Sequence, residues 1–579
     1  MDTSERKSYE PLRVAILLAF LILATARIVS TYRVFSQTWD EPVHVASGME
    51  WLQQGTYSYE DLHPPLARIA TAIGPYLSGS RLSSQDLKPR VLVAGGNAVF
   101  ASHGNYLHNL ALARVGMLPF FFLAAGIIWH WTRKVFGNWA ALAAVGLFTM
   151  LPPILGHAAL ATTDLPLTAT FALALYAFTS WLQRPTTNQS LVLGLTVGMA
   201  ILTKFTTLLF LPTSGVVVLL CWLFCSQTSV LKRRQDIIPR LKQVGLAALI
   251  CAGVILAGYR FSVHPVTGPD QRPHQFLDRV LGHGGRWHDL AYDVAEKTPV
   301  PVPEFFHGIA QARARLNYPT NMYLMGQVGT EGWWYFFPVA LLVKTPIAFL
   351  ILAIAGALGL LWRWRKGLQN WGELVPLTTA LTLLLVSLPT KFNIGLRHIL
   401  LIYPFLSMMA GFGITQLWRS ARTPWLNRLA VVGLAAWMLV STAMAHPDYL
   451  AYFNEFAGGH PERILGDSDL DWGQDLLRLS ADLRARGVAH IAIAYNGSTD
   501  LSRMNLPPFE TLAPCDRTTG WIAISLFKLQ VSKPSVGCGG FSWLEAYTPV
   551  ALIGKSIRLY WVPKAAERRT FLKAGAPTQ

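Results

Sequence analysis

The sequence predicts an all-α polytopic membrane protein that carries a small α/β domain at its C-terminal end. Three observations lead there. Of 579 residues, 52% are hydrophobic and only 14% are charged, and the charges gather in the gaps between apolar runs. Runs of roughly 17–25 apolar residues, long enough to cross a bilayer, recur as far as residue 445 and then stop. Twenty Trp, 29 Phe and 18 Tyr suit aromatic belts at two membrane interfaces.

Taken in order, the runs fall near 13–31, 109–131, 139–155, 164–183, 190–206, 207–225, 243–261, 336–362, 371–389, 397–417 and 426–445. About 11 transmembrane helices are therefore expected within a membrane domain of residues 1–445. Lys204 and Pro212 interrupt the stretch around 206, which reads as one long segment or as two. No small-residue cleavage site follows the first run, so it reads as a retained anchor rather than a signal peptide.

Orientation follows from basic residues. Arg6, Lys7 and Arg13 precede the first run, and Arg133-Lys134, Arg184, Lys232-Arg233-Arg234, Arg363/Arg365/Lys366 and Arg419/Arg422 fill alternate gaps. Short cytoplasmic loops are rich in Lys and Arg. The N-terminus is then inside, and the segments 32–108, 262–335 and 446–579 lie outside. The net charge of +17 is spread through these short clusters, which argues for bilayer orientation and against nucleic-acid binding.

Residues 446–579 read as a soluble outer domain. Leu476–Arg486 has helical spacing, and His490–Tyr495 and Trp521–Leu526 read as buried strands. Cys221, Cys225 and Cys251 fall in apolar runs, where Cys acts as a small apolar residue. Cys515 and Cys538 fall in the outer domain, where an oxidising compartment lets them pair.

The chemistry gathers at the outer ends of the spans. Asp40 and Glu41 follow the first run closely, ahead of Pro42. Such a pair either caps a helix, with Pro in its first turn, or works as an ionisable site at the membrane edge. Asp164 opens the fourth run, and Lys391 and Arg397-His398 open the tenth. Arg68 closes the first outer segment after His63-Pro64-Pro65. A lone Arg or Lys at a helix end also serves as an interfacial anchor. A transporter or flippase of lipid-linked sugars, with the outer domain as a partner-binding module, is the alternative. Its charges belong near the midplane of repeated halves, and neither feature is present in the sequence.

The ordered set resembles the GT-C membrane glycosyltransferases, in particular the bacterial relatives of the protein O-mannosyltransferases and the aminoarabinose transferases of lipid A. The residues that carry the resemblance are Asp40-Glu41, His63-Pro-Pro-Leu-Ala-Arg68, Thr163-Asp164, Tyr323-Leu-Met-Gly326 and Gly332–Pro338 with Lys344-Thr-Pro346. Arg397-His398 and Asp467–Asp475 continue it, so that it runs through nearly the whole chain.

The resemblance implies transfer of a sugar from a polyprenyl phosphate to a hydroxyl at the outer face, with inversion at the anomeric carbon. It casts Asp40 as general base, Glu41 as its neighbour that orients the acceptor or holds the base, and Asp164 as a further acidic contact. A departing phosphate needs fixed cations. Arg397 is the first choice because its planar fork can engage two oxygens, followed by Arg68, with Lys391 and Lys204 behind; His63 and His398 flank these. Two departures stand out. Relatives often carry Lys where His63 or Arg68 stands, and the outer domain is not the repeated β-trefoil of the eukaryotic enzymes. The expected partners are thus a polyprenyl-phosphate-linked sugar, a protein, lipid or glycan acceptor and membrane lipids, in a bacterial inner membrane.

No cofactor and no metal are expected. Asp467, Asp469 and Asp471 alternate like the start of a calcium loop, but Trp472 replaces its glycine and Arg478 its bidentate glutamate. An Asp-rich helix start is the plainer reading, with Trp472 and Asp475 as acceptor contacts. His44 lies one helical turn after Asp40 and could share a metal with it, but a monophosphate leaving group does not require one.

Overall fold

A computed structural model describes residues 10–83, 92–225, 237–265, 284–316, 318–367, 370–421, 423–535 and 537–564. The basic residues Arg6, Lys7, Lys232-Arg233-Arg234 and Arg422 lie outside them.

Helix α1 (Glu10–Ser30) leads to three helices of the first inter-span segment, α2 (Glu41–Gln54), α3 (Pro65–Leu77) and α4 (Leu92–Ala101). The membrane region continues with α5 (Tyr106–Val115), α6 (Leu118–Phe136), α7 (Asn138–Phe148), α8 (Pro152–Ala158), α9 (Asp164–Gln183), α10 (Thr187–Thr203), α11 (Thr207–Cys225) and α12 (Ile237–Gly258). The next segment holds β1 (Val263–His264), α13 (Arg286–Lys297), β2 (Val300–Pro301), α14 (Pro303–Leu316) and the hairpin β3 (Met322–Leu324) with β4 (Gln327–Gly329). Then come α15 (Phe336–Lys344), α16 (Ile347–Arg365), α17 (Trp371–Ser387), a 3-10 turn at Leu396–Ile402 running into α18 (Tyr403–Arg419), and α19 (Pro424–Met444).

Eight helices among the described residues are long and apolar enough to cross a membrane, against the eleven expected. A ninth span arises if α7 and α8, bent by 64°, are counted together. The bend has a local cause: Pro152 and Pro153 force the preceding Leu151 out of the helical region. Helices α10 and α17 are apolar but only 17 residues long, at the lower limit of a spanning length. The stretch around 206 is two helices. Lys204 takes an extended backbone between α10 and α11, and that break frees its side chain for another partner. The run 336–362 also divides, at Thr345-Pro346.

The main apolar core draws on α1, α6, α7, α9, α16 and α18. The C-terminal region adds α20 (Leu476–Ala485), β5 (Ile491–Ala494), β6 (Phe509–Thr511), β7 (Gly520–Ser525), α21 (Leu526–Ser535), β8 (Ala551–Ile553) and β9 (Ile557–Val562). Its sheet runs β6-β5-β7-β9-β8. β5 lies parallel to β6 and β7, while β9 runs antiparallel to β7 and β8. The expected helix and both expected strands are there, within two residues at each end. Cys515 and Cys538 form a disulfide.

Candidate functional site

Asp40 stands at the N-cap position of α2, with Pro42 in the first turn, but its side chain makes no capping hydrogen bond. Its carboxylate instead accepts from Arg397 across 357 residues of sequence, Nη1 to Oδ2 at 2.6 Å. Burial pushes the Asp40 carboxyl up, yet the Arg397 guanidinium outweighs it and holds the group below the ordinary carboxylate value. The Asp40 side chain keeps 27% of its exposure, so one side of it is open.

Glu41 has a different fate. Arg114 grips it in a fork, Nε to Oε1 at 2.8 Å and Nη2 to Oε2 at 2.9 Å. The backbone N–H groups of Ala161 and Thr38 complete its shell at 2.9 and 2.7 Å. The remaining Arg114 donors go to the carbonyls of Phe35 and Ser36. Every lone pair has a donor, and both side chains are sealed from solvent. The expectation that Glu41 orients the acceptor or holds the base meets a different geometry: its oxygens are taken by Arg114 and two backbone N–H groups, and it ties the first inter-span segment to α5.

Asp164 opens α9. Its Oδ1 accepts from Lys204 Nζ at 2.6 Å, the group freed by the break between α10 and α11. Its Oδ2 lies 3.6 Å from Arg397 Nη1 and has no hydrogen bond. Arg397 Nε, His398 Nε2 and His157 Nδ1 are likewise buried without partners. An unpaired buried polar atom costs about 1–3 kcal/mol, so four in one neighbourhood mark where a polar ligand would be held. Asp40, Asp164, Lys204, Arg397 and His398 thus form one group, at helix ends rather than at helix middles.

The loop before α20 positions Arg397. Asp469 accepts the Leu396 N–H on both oxygens, at 3.1 and 3.2 Å, and Ser468 Oγ donates to the Ile394 carbonyl at 2.6 Å. A Cβ on Gly395 would lie 2.1 Å from that Ser468 oxygen, so the approach requires glycine. Lys344 Nζ steadies the loop from below, donating to the carbonyls of Leu450 (2.7 Å) and Asp469 (2.5 Å). Trp472 lays its ring over the Arg397 guanidinium, 4.2 Å from the ring centre. Asp467 takes a left-handed backbone (φ 46°) and comes within electrostatic reach of Arg397 and Asp40. Burial pushes its carboxyl up to about 7. Asp471 and Asp475 instead tie the loop to α21 and β9, accepting from Phe527 N–H and Ser556 Oγ. This departs from the reading of Asp475 as an acceptor contact.

Arg68 on α3, with His63 in the loop before it, forms an adjoining group beside α2. A Cβ on Gly48 would meet the Arg68 carbonyl at 2.1 Å, which is why the two helices come so close. Arg68 is buried and donates to Tyr57 Oη at 3.0 Å, to Glu60 and to His44 Nδ1 at 3.2 Å. Burial, reinforced by the Arg68 charge, lowers His44 to about 3 and His63 well below its ordinary value, so both rings are neutral. His44 links the two groups, since the charges of both Arg68 and Asp40 act on it. The structure does not bring Lys391 in: it pairs with Glu331 at 2.5 Å on an exposed loop.

Arg114, Glu60 and His157 were not among the candidates from sequence, and Asp467 entered only within its motif and as a rejected calcium ligand. One signal could have found Arg114, an arginine inside an apolar run, because ionisable groups at membrane depth are rarely idle. Nothing in the chain order marks Asp467 as a neighbour of Asp40.

Residues 108–256 match the family described as dolichyl-phosphate-mannose-protein mannosyltransferase. No curated protein matches the chain. Among solved structures the chain is similar to ArnT from Cupriavidus metallidurans bound to undecaprenyl phosphate, at 14% identity and TM-score 0.45, over 94% of this chain and 97% of that one. It is similar to the oligosaccharyltransferase of Archaeoglobus fulgidus at 13% identity and TM-score 0.46, over 87% and 64%. It is also similar to the S. cerevisiae protein O-mannosyltransferase Pmt1-Pmt2 complex bound to the sugar donor, at 12% identity and TM-score 0.47, over 75% and 90%.

Proposed function

We propose, on the premise that residues 108–256 carry the sequence signature of the dolichyl-phosphate-mannose-protein mannosyltransferases among the GT-C membrane glycosyltransferases, that this chain moves a hexosyl or pentosyl group from a polyprenyl-phosphate donor to an acceptor hydroxyl. The observation that carries the reading is the meeting of Asp40 and Asp164 with Arg397 and Lys204 at helix ends, among buried polar atoms that lack partners.

In this reading the acceptor oxygen attacks the anomeric carbon while Asp40 takes its proton. The bond from that carbon to the phosphate oxygen breaks with inversion, and the electron pair leaves with the phosphate. Arg397 and Lys204 supply the cations the departing phosphate needs, and Asp164 holds both of them in register. The Arg68 group lies beyond His44, next to the site. The acceptor is a protein, lipid or glycan hydroxyl.

The site faces outward across a bacterial inner membrane in this reading. Arg133 and Lys134 end α6, and Arg363 and Arg365 end α16, at the side opposite the site. The Cys515–Cys538 disulfide suits an oxidising compartment for the C-terminal region. Thiol labelling of intact cells checks the orientation. Two free thiols reached only after permeabilisation would reverse it.

Purified protein supplied with radiolabelled polyprenyl-phosphate mannose or aminoarabinose and a membrane extract tests the activity. Label should leave the lipid for one acceptor fraction. Label that stays on the lipid yet crosses the bilayer of a proteoliposome would replace transfer with transport.

A further inference from the structure

The reading above gives Asp40 and Arg397 tasks that conflict in the structure. Asp40 needs a free oxygen to take a proton, and Arg397 needs free donors for a phosphate, yet each is bonded to the other at 2.6 Å. No other hydrogen bond reaches the Asp40 carboxylate among the described residues. A carboxylate held by a guanidinium is a poor base, because proton uptake must first break a charge-assisted bond.

The charge count points to a way out. Two carboxylates, Asp40 and Asp164, face two cations, Arg397 and Lys204. Neutral His44 and partly buried Asp467 complete the groups that face Asp40. An entering phosphodiester adds one negative charge to a balanced, buried set. Arg397 has a second way to stay paired, since Asp164 Oδ2 is 3.6 Å away and unbonded, and its own Nε is unpartnered. The guanidinium can therefore turn from Asp40 to an anion without losing its carboxylate support. Trp472 stacked on its face guides such a rotation in plane.

We propose, resting on the glycosyltransferase reading, that Arg397 exchanges partners during the cycle, leaving Asp40 for the donor phosphate, and that this exchange converts Asp40 from a masked carboxylate into the working base. The acceptor proton is then taken only once the donor is in place. No covalent bond changes in the exchange itself. One ion pair opens and another closes.

The exchange predicts a proton signature. Asp40 is lowered by Arg397 and raised by burial. When the cation turns away and the burial stays, its proton affinity rises, so at mildly acidic pH the protein takes up protons as the anion binds. Undecaprenyl phosphate in detergent is the probe, added to the full chain and to Asp40→Asn. Titration calorimetry in two buffers of different ionisation enthalpy reads the protons. Wild type should take up more than Asp40→Asn, by up to one proton for each lipid bound. The comparison cancels any proton the lipid itself exchanges.

A second measurement does not depend on that variant folding. Difference infrared spectra of Asp467→Asn with and without undecaprenyl phosphate should show a new carboxylic-acid carbonyl band, which Asp467 cannot supply. Equal proton uptake in wild type and Asp40→Asn, or binding without the band, overturns the exchange and leaves the phosphate site standing. Failure of wild type to bind undecaprenyl phosphate would remove the glycosyltransferase reading itself.

Discussion

Asp40 and Glu41 are neighbours in sequence, each paired with an arginine, yet their surroundings are opposite. The Glu41–Arg114 pair is sealed, forked and fully hydrogen-bonded. The Asp40–Arg397 pair is held by one bond, with a carboxylate 27% exposed and a guanidinium nitrogen that has no partner. A complete shell leaves nothing for a substrate to bind, and an incomplete one does. Satisfaction of the shell, more than charge or position, separates a structural ion pair from a candidate site here.

The comparison breaks most visibly at Arg114. Arg114→Ala strands Glu41 in a buried site, and breaking a buried pair costs about 3–5 kcal/mol. That is a large share of a stability of roughly 5–15 kcal/mol. The expected outcome is poor expression and a strongly lowered melting temperature in detergent. A variant that is stable yet inactive would move Glu41 into the catalytic group and erase the contrast.

Asp40→Asn should do the reverse. The pair it removes is partly open, and Arg397 keeps Asp164 nearby, so the melting temperature should change little. Turnover should fall by about 10²–10⁴-fold, as expected for a lost general base. Near-normal turnover with labelled donor would end the role of Asp40 as base.

Arg397 sharpens the same contrast. Arg397→Ala should weaken donor use far more than Arg397→Lys, since lysine keeps the charge but loses the planar fork. Equal donor affinity in wild type and the alanine variant would make Arg397 an anchor only.

How much of this was legible in the sequence follows from what each feature depends on. Apolar runs report burial in lipid, so the helices stood out, and the α20, β5 and β7 patterns did too. Span lengths were harder: Lys204 left one span or two open, and Pro346 breaks the run 336–362, whose composition alone looks continuous. Asp40, Asp164 and Arg397 were legible as charges at helix starts. That Glu41 would be consumed by Arg114 was not, because the contact joins positions 73 residues apart. Asp467 and Trp472 reach the site through a loop whose side-chain bonds to the backbone of Leu396 and Ile394 are set by tertiary packing. A pattern of alternating aspartates does not distinguish a ligand loop from a clamp.

Between the sealed pair and the open one lies a third kind, whose strength depends on pH. His307 Nδ1 bonds Asp61, and His264 Nε2 lies 3.0 Å from Glu304. Together they fasten α14 to the first inter-span segment and to β1. Hydrogen bonding to Asp61 raises His307, and the Glu304 bond raises His264 against its burial. A histidine raised on folding contributes stability that is fully present below its ordinary value of about 6.5. That contribution is lost as pH climbs through the raised value. Hydrogen exchange across residues 303–316, corrected for intrinsic rates, should therefore quicken on the alkaline side. The effect should be small, because the His264 side chain is 44% exposed and its pair is screened. His307→Gln should flatten most of the pH dependence while leaving the Glu41–Arg114 contacts unchanged at every pH. Protection of α14 that stays level across the neutral range in wild type would show that packing of Gly308 and Phe305, and not the histidine pairs, holds this helix in place.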